Sequence, residues 1–203
     1  LGECVADGPE RWTYTTELQA DAHWVLDDHR TAEGVAVMPG TAYLEIARAA
    51  WRDLAGERPV EIRDVAFLAP LVVTGAESRR VSVEVLRRDD GYEFEVKSGP
   101  DATLHARGVL TPLREDPARP PAITALEAVC TGDLREARGE ALAPSQGSQL
   151  RFGPRWATLR RVGFGQGEAI ARLALAPEFA ADVEQQGLHP ALLDIATGFA
   201  LPL

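Results

Sequence analysis

The 203-residue chain carries 31 Asp and Glu against 21 Lys and Arg, a formal net charge of −10. That balance argues against a nucleic-acid surface and against anionic membranes. Hydrophobic content of 45% and charged content of 26% are those of an ordinary globular protein, and this length accommodates one large domain or two small ones.

Only Cys4 and Cys130 are present, in no metal-ligand spacing, which argues against a disulfide framework and against a zinc site. No apolar run approaches membrane-spanning length, and the first residues lack the basic-then-apolar order of a signal peptide, so a cytoplasmic protein is expected. A chain that opens on Leu1 rather than Met reads as a piece cut from a larger polypeptide. The pairs Arg79-Arg80, Arg87-Arg88 and Arg160-Arg161 read either as local basic patches or, more plainly, as solvated strand ends.

Trp12 to Leu18 alternates in β fashion, and Ala22 to Asp28 reads as a short irregular segment. At Thr41 the period changes. Tyr43, Ile46, Ala47, Ala50 and Leu54 recur at helical spacing, with Glu45, Arg48, Arg52 and Asp53 on the other face. A helix from Thr41 to Leu54 follows, entered through Pro39 and ended by Gly56; Thr41 is poorly placed as its cap.

Four strands are expected next, over Val60 to Val73 with a bend at Pro70, Val81 to Leu86, Tyr92 to Val96 and Leu104 to Leu110. Strict alternation in the second and third marks half-buried antiparallel strands, and Asp89-Asp90-Gly91 supplies the turn between them. One long helix followed by an antiparallel meander reads as a sheet wrapped around a helix.

Pro112 to Pro121, with four prolines among charged residues, reads as a linker. Ala125 to Arg138 is expected to be helical and Ala143 to Gln149 loop-like. Strands are expected over Arg151 to Val162 and Glu168 to Leu175, with the glycine-rich Gly163 to Gly167 as the turn between them. A second helix, introduced by Pro190, runs to Leu201. Strands, loop, then a proline-led helix repeat the order of the first half, although almost nothing follows the second helix.

Two segments carry candidate chemistry. His29 lies just before glycines and a helix start, and imidazole moves protons near neutral pH while helix N–H groups stabilise an oxygen gaining charge. A loop histidine that packs or faces solvent is the plain alternative. Asp194 sits in the apolar run Ala191 to Ala196; buried there it becomes an acid, exposed it is a solvated helix carboxylate. His189 shapes the turn before Pro190, while His23 and His105 read as structural. Ser145, Ser148 and Cys130 lack the context of a nucleophile.

Taken together, these residues resemble the dehydratase domain of modular polyketide synthases, a double hot-dog fold. The family's His-x3-Gly-x4-Pro motif is similar to His29 to Pro39, with one extra residue between His29 and Gly34, and Pro39-Gly40-Thr41-Ala42-Tyr43-Leu44-Glu45 matches well. Its Gly-Tyr-x-Tyr-Gly-Pro-x-Phe motif resembles Gln149 to Trp156, where the Gly-Pro survives and Phe152 lacks the tyrosine hydroxyl. Its Leu-His-Pro-Ala-Leu-Leu-Asp motif matches Leu188 to Asp194 in full, and Gly198 stands where Gln or His is usual. Thr103 to Leu110 resembles the strand that closes the family's first hot-dog.

The resemblance implies an α+β double hot-dog, two antiparallel sheets each wrapped around a central helix. Residues 1–113 would form the first, 114–124 a Pro-rich linker, and 125–203 the beginning of the second. It also implies dehydration of a β-hydroxyacyl thioester on acyl carrier protein, with His29 taking the α-proton and Asp194 protonating the departing hydroxyl. Gly34, Pro39, Gly40, Phe152, Gly153, Pro154 and His189 would bind substrate or its carbonyl, and the chain would occupy an apolar tunnel between the helices. No metal or nucleotide is implied; substrate arrives on a phosphopantetheine arm. Neighbouring synthase domains are the implied partners, with a possible homodimer. The extra residue after His29 would either re-aim the imidazole or be taken up in the loop. Alternatives are a bifunctional dehydratase and pyran-forming cyclase, or a catalytically silent domain kept for its structural role; a free hot-dog thioesterase is disfavoured.

Overall fold

The computed structural model describes residues 1–75, 77–114 and 122–201. Two paired strands come first, β1 (Glu3–Asp7) and β2 (Arg11–Leu18), then a one-turn helix α1 (Trp24–Asp27), short strands β3 (His29–Thr31) and β4 (Ala36–Val37), and helix α2 (Gly40–Ala55). Strands β5 (Val60–Phe67), β6 (Val72–Val73), β7 (Arg79–Arg88), β8 (Gly91–Ser98) and β9 (Thr103–Pro112) complete the first half. The second half holds α3 (Ile123–Val129), β10 (Gly132–Glu136), β11 (Leu150–Phe152), β12 (Leu159–Phe164), β13 (Ala169–Leu173), α4 (Asp182–Gln185) and α5 (Pro190–Gly198).

A six-stranded sheet in the order β1-β2-β7-β8-β9-β5, antiparallel throughout, encloses α2. The apolar stripe of the helix explains the wrapping: Ala42, Tyr43, Ala47, Ala50 and Trp51 are buried against Val81, Val83, Val85, Phe94, Val96 and Leu110 from the sheet. Alternation along β7 and β8 sends every second residue into this core, as the sequence pattern requires. Gly108 lies where a Cβ would meet the Phe94 ring at 2.8 Å, so the strand approaches that ring only as glycine. Gly56 ends the helix at φ 75°, a left-handed conformation.

A second core gathers Trp156, Leu159, Val162, Ala191 and Ile195, packing α5 on the three-stranded sheet β10-β12-β13. The remaining sheet, β11-β3-β4-β6, joins the two halves, because β11 from the second half adds to β3 of the first. The fold is a double hot-dog whose second unit is partial in this chain.

Several expectations are corrected. Ala125 to Arg138 is not one helix: α3 ends at Val129, and Gly132–Glu136 is a strand on β12. Every residue of β10 is exposed, so its sequence lacks an apolar period, and its pairing comes from a distant partner. The strand expected over Arg151 to Val162 is split by a 3-10 turn at Pro154–Trp156, where proline withholds a ladder N–H. The strand expected over Val60 to Val73 is broken rather than bent at Pro70, leaving β5 and β6 in different sheets. The second helix stops at Gly198, short of Leu201, and β1, β3 and β4 are additional to the expected strands. Most of the expected linker, residues 115–121, lies outside the described residues.

Leu110 is fully buried, whereas Val5 is 51% exposed. Leu110→Ala is expected to lower unfolding free energy by about 2–5 kcal/mol in urea titration, and Val5→Ala by less than about 0.5 kcal/mol. Equal effects would contradict the assignment of the sheet's inner face.

Candidate active site

Strand β3 places His29 with its side chain buried and Phe152 of β11 directly opposite in register. The imidazole Nδ1 lies 2.7 Å from the Val37 carbonyl oxygen across the β3–β4 hairpin. A carbonyl oxygen only accepts, so Nδ1 carries the proton and donates it there. In the neutral imidazole this leaves Nε2 as the nitrogen with an available lone pair.

Asp194 approaches from α5, one turn beyond Pro190. Its Oδ2 is 3.8 Å from His29 Nε2, a separation longer than a hydrogen bond. The same Oδ2 accepts the indole N–H of Trp156 at 2.8 Å. Aromatic rings wall the imidazole, with the Phe152 centroid at 5.7 Å and that of Trp156 at 5.5 Å. Phe152 and Trp156 in turn stack on each other. In such apolar surroundings the interaction of proton-bearing groups is stronger than in bulk water.

Asp28, beside His29 in the chain, sets this geometry. Its carbonyl accepts the Gly153 N–H at 2.8 Å and its carboxylate Oδ2 accepts the Arg155 N–H at 3.2 Å. A Cβ on Gly153 would fall 2.0 Å from Asp28 Oδ1, so only glycine permits this approach. Burial pushes the Asp28 carboxyl above its ordinary value, against the pull of the Arg155 N–H and guanidinium. Arg155 bonds Asp182 through Nε at 2.7 Å and lies over the rings of Trp24 and Phe179. The two central helices touch as well: the Thr41 hydroxyl donates to the Pro190 carbonyl at 2.9 Å, and Glu45 accepts the Leu188 N–H at 2.8 Å.

The other expected residues divide. Phe152, Gly153 and Pro154 lie beside His29, and Pro39 and Gly40 start α2 two residues beyond Val37, the carbonyl that fixes the imidazole. Gly34 does not offer a free donor. It sits at φ 89° in the β3–β4 turn with its N–H bonded to the Thr31 carbonyl at 2.9 Å, so the start of α2 is the remaining source of N–H groups. The residues between His29 and Gly34, where the extra residue falls, lead into this turn, which the Thr31 N–H also closes on the Val35 carbonyl at 2.9 Å.

His189 is buried at the start of α5, stacked on Trp24 with its Nε2 3.8 Å from Asp182 Oδ2. The ring is buried there, and neither of its nitrogens makes a hydrogen bond within the described residues. An apolar cleft of about 310 Å³ lies among Met38, Ala42, Ile46, Trp24 and Pro190, but its lining includes neither His29 nor Asp194. This cleft is therefore not the expected tunnel joining His29 and Asp194. His105 bonds Ser98 and the Ala69 carbonyl, a structural role. Trp156, Asp28 and the Val37 carbonyl were not singled out in the sequence; an indole where the resembling motif has phenylalanine was the one visible signal.

Gly153→Ala is expected to cost about 1–3 kcal/mol of stability, read by urea unfolding, because Asp28 has to move. His189 supplies a pH test. Burial lowers its pKa below the ordinary 6.5, so the unfolded chain binds a proton that the folded chain resists. Stability from this group is full above 6.5 and is lost as pH falls from there toward the lowered folded value. His189→Asn is expected to flatten that part of the stability–pH curve; an unchanged slope would contradict the assignment.

Among the described residues no helix is long and apolar enough to cross a membrane. A family model described as polyketide synthase dehydratase domain matches residues 1–99, and one described as polyketide synthase dehydratase N-terminal domain matches residues 120–203. Polyketide synthase ThaG of Burkholderia thailandensis is 33% identical over 186 residues, covering 84% of this chain and 3% of that protein. Spectinabilin polyketide synthase system protein NorB of Streptomyces orinoci is 34% identical over 215 residues, covering 99% of this chain and 9% of that protein. The chain thus spans only a small part of such relatives. Among solved structures, the dehydratase domain from the CurF module of curacin polyketide synthase superposes with a TM-score of 0.85 at 25% identity, covering all of this chain and 76% of that one. With its hot-dog architecture and both family models in sequence order, the chain belongs to the dehydratase domain family of polyketide synthases.

Proposed function

We propose that this protein eliminates water from a β-hydroxyacyl thioester carried on the phosphopantetheine arm of an acyl carrier protein, during chain elongation by a larger synthase. The observation that carries the reading is the 3.8 Å approach of His29 Nε2 to Asp194 Oδ2 inside an aromatic wall, with Nδ1 tied to the Val37 carbonyl. That arrangement brings the ring nitrogen not bonded to Val37 and a carboxyl group within reach of one substrate. Family membership supports the reaction class.

In the proposed reaction His29 Nε2 takes the proton from the α-carbon, and the electron pair of that C–H bond forms the new double bond. The C–O bond at the β-carbon breaks, and the hydroxyl leaves as water with a proton from Asp194. Imidazolium and carboxylate remain, and return of the proton between them restores both groups. Enolate-like charge on the thioester oxygen is stabilised by N–H groups at the start of α2, assisted by the helix dipole. Loss of one such donor costs about 3 kcal/mol of barrier. Supporting this placement, a groove of about 350 Å³ lined by Val37, Met38, Gly40, Tyr43 and Phe67 borders the helix start. The reaction draws on these groups alone and calls for no resident cofactor.

Incubation with a β-hydroxyacyl thioester, followed by mass spectrometry, reads the loss of water directly. His29→Ala and Asp194→Asn are each expected to slow it by about 100- to 10,000-fold. A wild-type protein that dehydrates no β-hydroxyacyl thioester, or variants that retain its rate, would overturn the reading.

A further inference from the structure

We infer that Trp156 is a positioning residue for Asp194, its indole N–H fixing the carboxyl group against His29. The inference rests on the dehydratase reading for its catalytic consequence and on geometry alone for the bond itself. Indole is a donor with no acceptor capacity at nitrogen, so the 2.8 Å contact to Asp194 Oδ2 has one possible polarity. The bonded oxygen is the one facing His29 Nε2. The N–H therefore occupies a lone pair of that oxygen and restricts rotation of the carboxyl group about its terminal bond.

Trp156 is itself held firmly enough to serve this purpose. It is 1% exposed, stacked on Phe152 and set edge-on to Trp24. Its backbone N–H closes the 3-10 turn on the Gly153 carbonyl at 3.1 Å, and that turn is bonded to Asp28 at both Gly153 and Arg155. Asp28 adjoins His29 in the chain. Base and acid, 165 positions apart in sequence, are consequently referenced to one piece of backbone: His29 directly, and Asp194 through Trp156 and the turn. Gly198, one helical turn beyond Asp194, has no side chain of its own, and its carbonyl accepts the Ser145 hydroxyl. Orientation from outside the helix is what the indole supplies.

Trp156→Phe keeps a ring stacked on Phe152 and removes only the donor-bearing part of the side chain. Turnover of a β-hydroxyacyl thioester is expected to fall by about 10- to 100-fold in kcat with KM changed less than about twofold. An activity-independent readout is the indole N–H resonance of Trp156 in 15N-labelled protein, identified among four tryptophans by its absence in Trp156→Phe. Asp194→Ala, which removes the acceptor, is expected to shift that resonance upfield and to speed its exchange with solvent. A structural role alone would lower the folded fraction without changing kcat per folded molecule. Wild-type kcat in Trp156→Phe, or a resonance unmoved by Asp194→Ala, overturns the inference. A wild-type protein inactive on every β-hydroxyacyl thioester, with the resonance still moving, sustains the bond and overturns the reading of the reaction.

Discussion

The antiparallel pairing of Leu150–Phe152 with His29–Thr31 is the contact on which the arrangement of this protein depends. Three residues on each side form it, so its own hydrogen bonds contribute little net stability. Its consequence is geometric. A strand from the second half completes a sheet whose other members come from the first, and a register shift of one residue would turn the side chains facing His29 to the opposite face. Asp28 opposes such slippage by accepting the Gly153 N–H at its backbone carbonyl and the Arg155 N–H at its carboxylate, just beyond the strand.

Around that junction buried and half-buried polar groups form a connected set. Asp28 and Asp182 share Arg155, whose guanidinium lies between the Trp24 and Phe179 rings, and His189 stacks on Trp24 from the start of α5. Burying charge is costly unless it is paired, and here the cation meets two carboxylates and two aromatic faces. The His29–Asp194 pair differs in kind. Its two groups stand 3.8 Å apart, each bonded elsewhere: His29 to a backbone carbonyl, Asp194 to an indole. Each group therefore takes its orientation from its other partner rather than from a hydrogen bond between the two.

Legibility followed the size of the pattern. Helix α2 spans four turns with a continuous apolar stripe, and β7 and β8 alternate over Val81 to Val85 and Phe94 to Ser98, so local period alone identifies them. Strands β3, β4, β6 and β11 have two or three residues each, too few for alternation to register. Strand β10 is exposed throughout and has no buried face to leave a strand period in its sequence. In the site, His29 is visible beside glycines and a helix start and Asp194 in an apolar run, whereas Trp156 is hidden in a motif and Asp28 reads as one more acidic residue.

The sequence by itself determined the two central helices, the meander between them, the family, and the identity of an imidazole and a carboxyl group poised near helix starts. Those properties are local: they follow from periodicity, turn residues and short motifs within a few residues of one another. Only the tertiary structure decided that Nε2 and not Nδ1 is the free nitrogen, that Gly34 spends its N–H inside a turn, and that an indole bonds Asp194. Each of these is a hydrogen bond whose partner is chosen by strand register and packing, and a linear chain carries no local record of that choice.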